Sequence, residues 1–92
     1  MSIKVKLMSF LSEHTGTGQI YLEPVFKTVG GVLEELARLY PALKEELFDE
    51  NGKIDYFYQV VLNGDKLEWA EIMDTPVKDG DELVIFGVLG GG

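Results

Sequence analysis

Cysteine is absent from this chain. Its absence excludes disulfides, thiolate nucleophiles and cysteine-ligated metal centres. Histidine occurs once, as His14 in a loop-like stretch. No Cys and no evident Ser or Asp partner stands near it for a triad, so it reads as a solvated loop residue and catalysis by this chain alone is not expected. No run is long and apolar enough to cross a membrane. The start, Met1-Ser2-Ile3-Lys4-Val5-Lys6-Leu7, alternates apolar and polar residues and has no continuous apolar segment of the secretory kind, so a cytoplasmic location without membrane attachment is expected. Basic residues are scarce: eight Lys and Arg face sixteen Asp and Glu, for a net charge of −8. A nucleic-acid binder needs a basic face, so none is expected. The negative surplus serves solubility and is compatible with a basic partner surface that steers encounter.

Other familiar site patterns are also incomplete. Gly16 and Gly18 are followed by no P-loop Lys-Ser/Thr and no helix start. Asp79, Asp81 and Glu82 lack the distal glutamate of a calcium loop, so no metal site is expected and a turn is the better role. Glu34/Glu35 and Glu45/Glu46 are adjacent on helices, where neighbours do not face each other, and they read as solvated faces.

What is present suits one small domain: 92 residues, 46% of them apolar. Ile3, Val5 and Leu7 alternate with Lys4, Lys6 and Met8, which predicts a strand with one buried face. Ile20 and Leu22 repeat the pattern after the Gly-containing stretch Ser12 to Gly18, predicting a hairpin whose second strand Pro24 closes or borders at its edge. Thr28 is a candidate N-cap. Val29, Val32, Leu33, Leu36, Leu39 and Tyr40 then recur at helical spacing until Pro41 interrupts, and a short second helix fits Ala42 to Phe48. Gly30 and Gly31 weaken the first helical turn, which close packing against a sheet would explain. After the Asp49-Glu50-Asn51-Gly52 turn, Tyr56 to Leu62 reads as a central strand. Asn63-Gly64 is a tight turn leading to a short strand at Lys66 to Trp69, and Glu71 to Lys78 reads as irregular.

The last stretch organises the rest. Asp79-Gly80 turns the chain into the β-branched run Leu83-Val84-Ile85-Phe86, and Gly87-Val88-Leu89 leads to Gly90-Gly91-Gly92. Glycines without Cβ atoms, straight after a strand, form a thin tail able to enter a channel too narrow for other residues. The expected architecture is α+β: a mixed sheet of four to five strands with one main helix packed on one face. Residues 1–89 form the domain and 90–92 a flexible glycine tail. Met8, Val84 and Phe86 fall on the parity opposite the buried one. If the first and last strands are neighbours, these three make an exposed apolar patch beside the tail, the kind that marks a partner surface.

With these residues placed, the chain resembles the ubiquitin-like β-grasp sulfur carriers, and most closely the small subunit of molybdopterin synthase. The resemblance rests on Ile3-Lys4-Val5, the Thr28 helix start, the L-x-x-L-Y-P spacing from Leu36 to Pro41, Val61-Leu62-Asn63-Gly64, Asp79-Gly80-Asp81-Glu82 and the distance from there to Gly91-Gly92. Gly87-Val88 stands where the family often has Pro-Pro, and Gly90 where it often has Ser, Thr or Ala.

The resemblance implies a mechanism. An adenylating enzyme of the ubiquitin-activating type, using ATP and Mg²⁺, would activate the Gly92 carboxylate. A persulfide donor would then displace AMP to leave a terminal thiocarboxylate. Gly90 and Gly91 would insert into the large subunit of molybdopterin synthase, and Met8, Val84, Phe86, Val88 and Leu89 would dock. No cofactor bound by this chain is implied. Other outcomes stay open: sulfur delivery to cysteine, thiamine or tRNA thiolation, a ubiquitin-like modifier joined to lysines through Gly92, or a non-covalent interaction domain. The His14-Thr15-Gly16 loop and the chain length also resemble the cysteine-biosynthetic carriers.

Overall fold

A computed structural model describes residues 1–87, apart from the side chains of Ser9 and Phe10. Five strands, β1 (Ile3–Leu7), β2 (Gln19–Leu22), β3 (Tyr58–Leu62), β4 (Asp65–Lys66) and β5 (Glu82–Gly87), form one sheet in the order β2-β1-β5-β3-β4. β1 runs parallel to β5 and the other neighbours are antiparallel, so the sheet is mixed. The helices α1 (Val29–Leu39) and α2 (Pro41–Leu47) follow β2 in the chain. This is the expected α+β architecture, with five strands and α1 as its main helix.

The alternating patterns set the layers. Ile3, Val5, Leu7, Val60, Leu83 and Ile85 are all buried, and they share a cluster with Val29, Val32, Leu33 and Leu36 of α1. Burying each such side chain is worth about 1.5–3 kcal/mol against exposure, which fixes the register. Thr28 caps α1 as expected, its Oγ1 accepting from the Gly31 N–H at 3.1 Å. At the other end Leu39 is an exception to the apolar stripe and is exposed. Pro41 opens α2, where its missing N–H would have no helical partner in any case.

Several elements differ from expectation. The centre of the sheet is β5, flanked by β1 and β3, whereas β3 separates it from the two-residue edge strand β4. The third strand also starts late. Asp55 Oδ1 accepts from the Phe57 N–H at 2.8 Å and Tyr58 N–H bonds to Asp55 O at 3.0 Å, so Tyr56 and Phe57 belong to a turn. Tyr56 is exposed and stacks on Trp69, with ring centroids 4.0 Å apart. Two 3-10 segments occupy Ser9–His14 and Trp69–Asp74; the first starts ahead of the Gly-containing stretch read from Ser12, and the second takes in Trp69, read as the end of the short strand, as well as the start of the irregular stretch from Glu71. The second explains Gly30. A Cβ there would lie 2.6 Å from the Met73 carbonyl oxygen, so α1 needs glycine to approach this 3-10 segment, and not the sheet.

Among the described residues no helix is long and apolar enough to cross a membrane.

Candidate functional site

The route to the chain end begins at a locked turn. Gly80, with φ of +90°, makes a bend that a side chain would strain. Asp81 follows, only 5% exposed. Its Oδ2 accepts from the Lys78 N–H at 2.8 Å and its Oδ1 from Asn63 Nδ2 at 2.9 Å. Asn63, itself left-handed at φ +50°, accepts from the Glu82 N–H through Oδ1 at 2.9 Å and donates its own N–H to Glu82 O at 2.9 Å. Burial pushes the Asp81 carboxyl up, but the bonds from Asn63 and the Lys78 N–H, with the Lys78 charge, outweigh it and leave the group below its ordinary range. The Asn63-Gly64 and Asp79-Gly80-Asp81 motifs thus form one clasp that sets where β5 begins.

From this clasp β5 runs through the middle of the sheet. On its far face Glu82, Val84 and Phe86 stand opposite in parity to the buried Leu83 and Ile85. Val84 is flanked by Lys6 on β1 and Val61 on β3, and Phe86 by Gln59. Val84 and Phe86 are half-buried. Met8, just past β1, is 47% exposed and donates its N–H to Ile85 O at 2.9 Å, which places it alongside β5. The three residues expected to share a patch are therefore brought to one open face. Val61, paired with Val84, extends it, and the 62%-exposed Tyr21 shares the same face farther out, opposite Lys4; the alternation within their strands marks both.

Charge on this face departs from that of the whole chain. Its charged strand positions are Lys4, Lys6, Lys66 and Glu82. Glu82 lies 3.6 Å from Lys4 and 3.9 Å from Lys6, both contacts half-exposed and worth little in stability. Three lysines against one glutamate give the strand positions of this face a positive balance, in a chain of net charge −8.

Where β5 ends, Gly87 pairs with Tyr58. Val88, Leu89, Gly90, Gly91 and Gly92, the remaining predicted site residues, lie outside the described residues. Close to this end is a cluster that sequence reasoning missed. The Tyr58 hydroxyl donates to Glu46 Oε2 at 2.6 Å, and His14 Nε2 lies 3.6 Å from Glu46 Oε1. Burial, then the Glu46 bond and the charges of Glu46 and Asp55, push the Tyr58 phenol above its ordinary range. His14 is therefore not a freely solvated loop residue, and Glu46 does more than solvate a helix face. His14 and Tyr58 stand 44 positions apart in the chain, and no local pattern links them. Among the described residues no group of His, Asp and Glu could hold a metal ion.

Comparison with known proteins places these features. The model of the ThiS family matches residues 5–92. The sulfur carrier protein CysO of Mycobacterium tuberculosis is 29% identical over 94 residues, covering all of both chains. Small archaeal modifier protein 1 of Haloferax volcanii is 30% identical over 88 residues, 95% of this chain and 97% of that one. Its crystal structure superposes with a TM-score of 0.83 at 28% identity over the whole of both chains. A structure from Pyrococcus furiosus assigned as molybdopterin converting factor subunit 1 is 27% identical, with a TM-score of 0.74 over 95% of this chain and 97% of that one.

Proposed function

The chain belongs to the ThiS family, within the sulfur carriers and ubiquitin-like modifiers of β-grasp fold, and we propose that its reactive group is a thiocarboxylate formed on Gly92. The observation that carries this reading is the family match running through to the last glycine. The position of β5 supports it, since this central strand carries Val84 and Phe86 of the open face and ends at Gly87, five residues before Gly92.

In this account Met8, Val84 and Phe86, with Val88 and Leu89, dock the carrier on an adenylating enzyme of the ubiquitin-activating type. The lysines around them favour a partner face with an apolar middle and an acidic rim. The Gly92 carboxylate attacks the α-phosphorus of Mg²⁺-bound ATP on that enzyme and pyrophosphate leaves. The terminal sulfur of a protein persulfide then displaces AMP, and a thiol cleaves the resulting acyl disulfide to release the thiocarboxylate. Gly90 and Gly91 provide a tail without side chains that a narrow acceptor site can admit.

Two acceptors are supported. The end-to-end likeness to the sulfur carrier protein CysO, with the resemblance of the His14-Thr15-Gly16 loop to the cysteine-biosynthetic carriers, supports cysteine formation, and the likeness to the Pyrococcus molybdopterin converting factor subunit supports molybdopterin synthesis. The CysO likeness spans all of both chains, so the cysteine-type acceptor ranks first. A second use of the same activated end, conjugation to lysines, is supported by the likeness to small archaeal modifier protein 1.

The test is ATP-dependent pyrophosphate release by the activating enzyme of the same cell, with the chain ending at Gly92 and with one alanine added after it. Release with the first and none with the second is expected. Equal release from both would overturn the terminal carboxylate as the reactive group. Offering the sulfur-loaded chain to a cysteine-forming synthase and to a molybdopterin synthase large subunit decides the acceptor.

A further inference from the structure

Gly87 is not glycine for backbone reasons: it lies in β5 and has no positive φ, unlike Gly16, Gly52, Gly64 and Gly80. It is glycine for space. A Cβ at this position would sit 2.8 Å from Phe57 Cε2, with Cδ2 and Cζ at 3.5 Å. The Phe57 ring therefore lies against the backbone at the residue where β5 ends.

The ring is held there from several sides. The Phe57 backbone N–H donates to Asp55 Oδ1 at 2.8 Å, closing the turn before β3 that carries the ring. The ring meets Tyr58 edge-on, with centroids 4.9 Å apart and planes at 76°. Tyr58 is buried, pairs with Gly87 across the ladder and is anchored through its hydroxyl to Glu46. Phe57 also packs on the core cluster. The ring is half-buried, set between the turn, its aromatic neighbour and the core, so a side chain at 87 would displace either the ring or the end of the strand.

We propose that Phe57 is a positioning residue for the reactive end: by closing one side of the backbone at Gly87 it restricts the directions open to the next peptide. Gly87 is the small half of that pair. The inference rests on the sulfur-carrier reading, because only a chain end that must reach a partner's nucleotide gains from being aimed. Phe57 is distinct in role from the open-face residues, which set how tightly the carrier docks.

The test pairs Phe57→Ala, Phe57→Leu, Gly87→Ala and the double variant Phe57→Ala/Gly87→Ala with two readouts. In adenylation by the activating enzyme of the same cell, Phe57→Ala is expected to lower kcat about tenfold and to leave KM within about twofold, because misaiming a reacting group affects turnover more than docking. Phe57→Leu, which retains bulk, should recover most of that loss. Gly87→Ala should lower kcat in the parent chain and add nothing once Phe57 is alanine, a non-additivity that marks direct contact. The second readout needs no partner: amide residual dipolar couplings of Gly87 and Val88 should change in Phe57→Ala while those of residues 82–86 stay fixed.

Unchanged couplings at 87 and 88, additive losses, or a lowered Tm with kcat intact would each overturn the proposal. If the parent chain is not adenylated at all, the sulfur-carrier reading fails and the role assigned to Phe57 in it falls too. The couplings would then report whether the ring sets the backbone direction independently of that function.

Discussion

Replacing Asp81 by asparagine keeps the shape of a buried side chain and removes its charge. The carboxylate accepts from two donors, the Lys78 N–H at 2.8 Å and Asn63 Nδ2 at 2.9 Å. An amide has one oxygen, so one of these donors must face an NH₂ group instead. Losing one charge-assisted bond costs about 1.5–3 kcal/mol, and weakening the other from charged to neutral adds about 1 kcal/mol, for a total of roughly 3 kcal/mol. The Lys78 ammonium, 4.0 Å away on an 84%-exposed side chain, contributes little to that sum. In a domain of this size each kcal/mol moves the midpoint by about 4–8 °C, so Asp81→Asn should melt about 15 °C lower.

The folded Asp81 carboxyl lies below its ordinary range, so its contribution is present above the unfolded value of about 3.9 and disappears as pH falls through the lower folded one. Urea denaturation of the parent and the variant should therefore differ strongly at neutral pH and converge in strong acid. A loss under about 0.5 kcal/mol at neutral pH, the range of an ordinary surface substitution, would refute the clasp as the anchor of β5.

Three further expectations follow from other contacts. Tyr58→Phe removes the bond to the half-exposed Glu46 and should cost about 1–2 kcal/mol at neutral pH. Because burial and Glu46 raise the folded phenol, the parent keeps its full advantage below the unfolded value of about 10 and loses it above that, as pH rises toward and through the higher folded one; equal urea midpoints at neutral pH would contradict the bond. Phe86→Arg, on the open face, should cost about 1 kcal/mol or less in stability and raise the KM for the activating enzyme, whereas Leu36→Arg places an unpaired charge in the core and should unfold the domain by circular dichroism. An unfolded Phe86→Arg would reverse the face assignment. The double charge reversal Lys6→Glu/Lys66→Glu should raise KM about fivefold and invert its salt dependence, while an unchanged KM would dismiss the acidic-rimmed partner.

Strands and faces were legible because alternation is local. Ile3, Val5 and Leu7 declare a buried side within five residues, and the parity of Val84 and Phe86 follows once Leu83 and Ile85 are placed inside. Thr28 and Pro41 act through their own backbone neighbours, so both ends of α1 could be read. Strand order was less accessible. That β5 and not the aromatic run at Tyr56 occupies the centre depends on pairing between distant segments, and Tyr56 and Phe57 left the strand because Asp55 makes a turn there. The segment Trp69–Asp74 has no 3.6-residue period to reveal it. The Tyr58–Glu46–His14 cluster and the Phe57–Gly87 contact join residues far apart in the chain, and glycine alone does not say what fills the space beside it. Gly30 makes the same point: the need for close approach could be inferred, but its partner, Met73, could not.

The measurement that bears most directly on a thiocarboxylate at Gly92 is the intact mass of the untagged protein isolated from its own cells. A species heavier by one sulfur-for-oxygen exchange, mapped to the terminal peptide and consumed by thiol-alkylating reagents, is the result this account predicts. Only the plain carboxylate, persisting after incubation with the activating enzyme, ATP, Mg²⁺ and a persulfide donor, would contradict it.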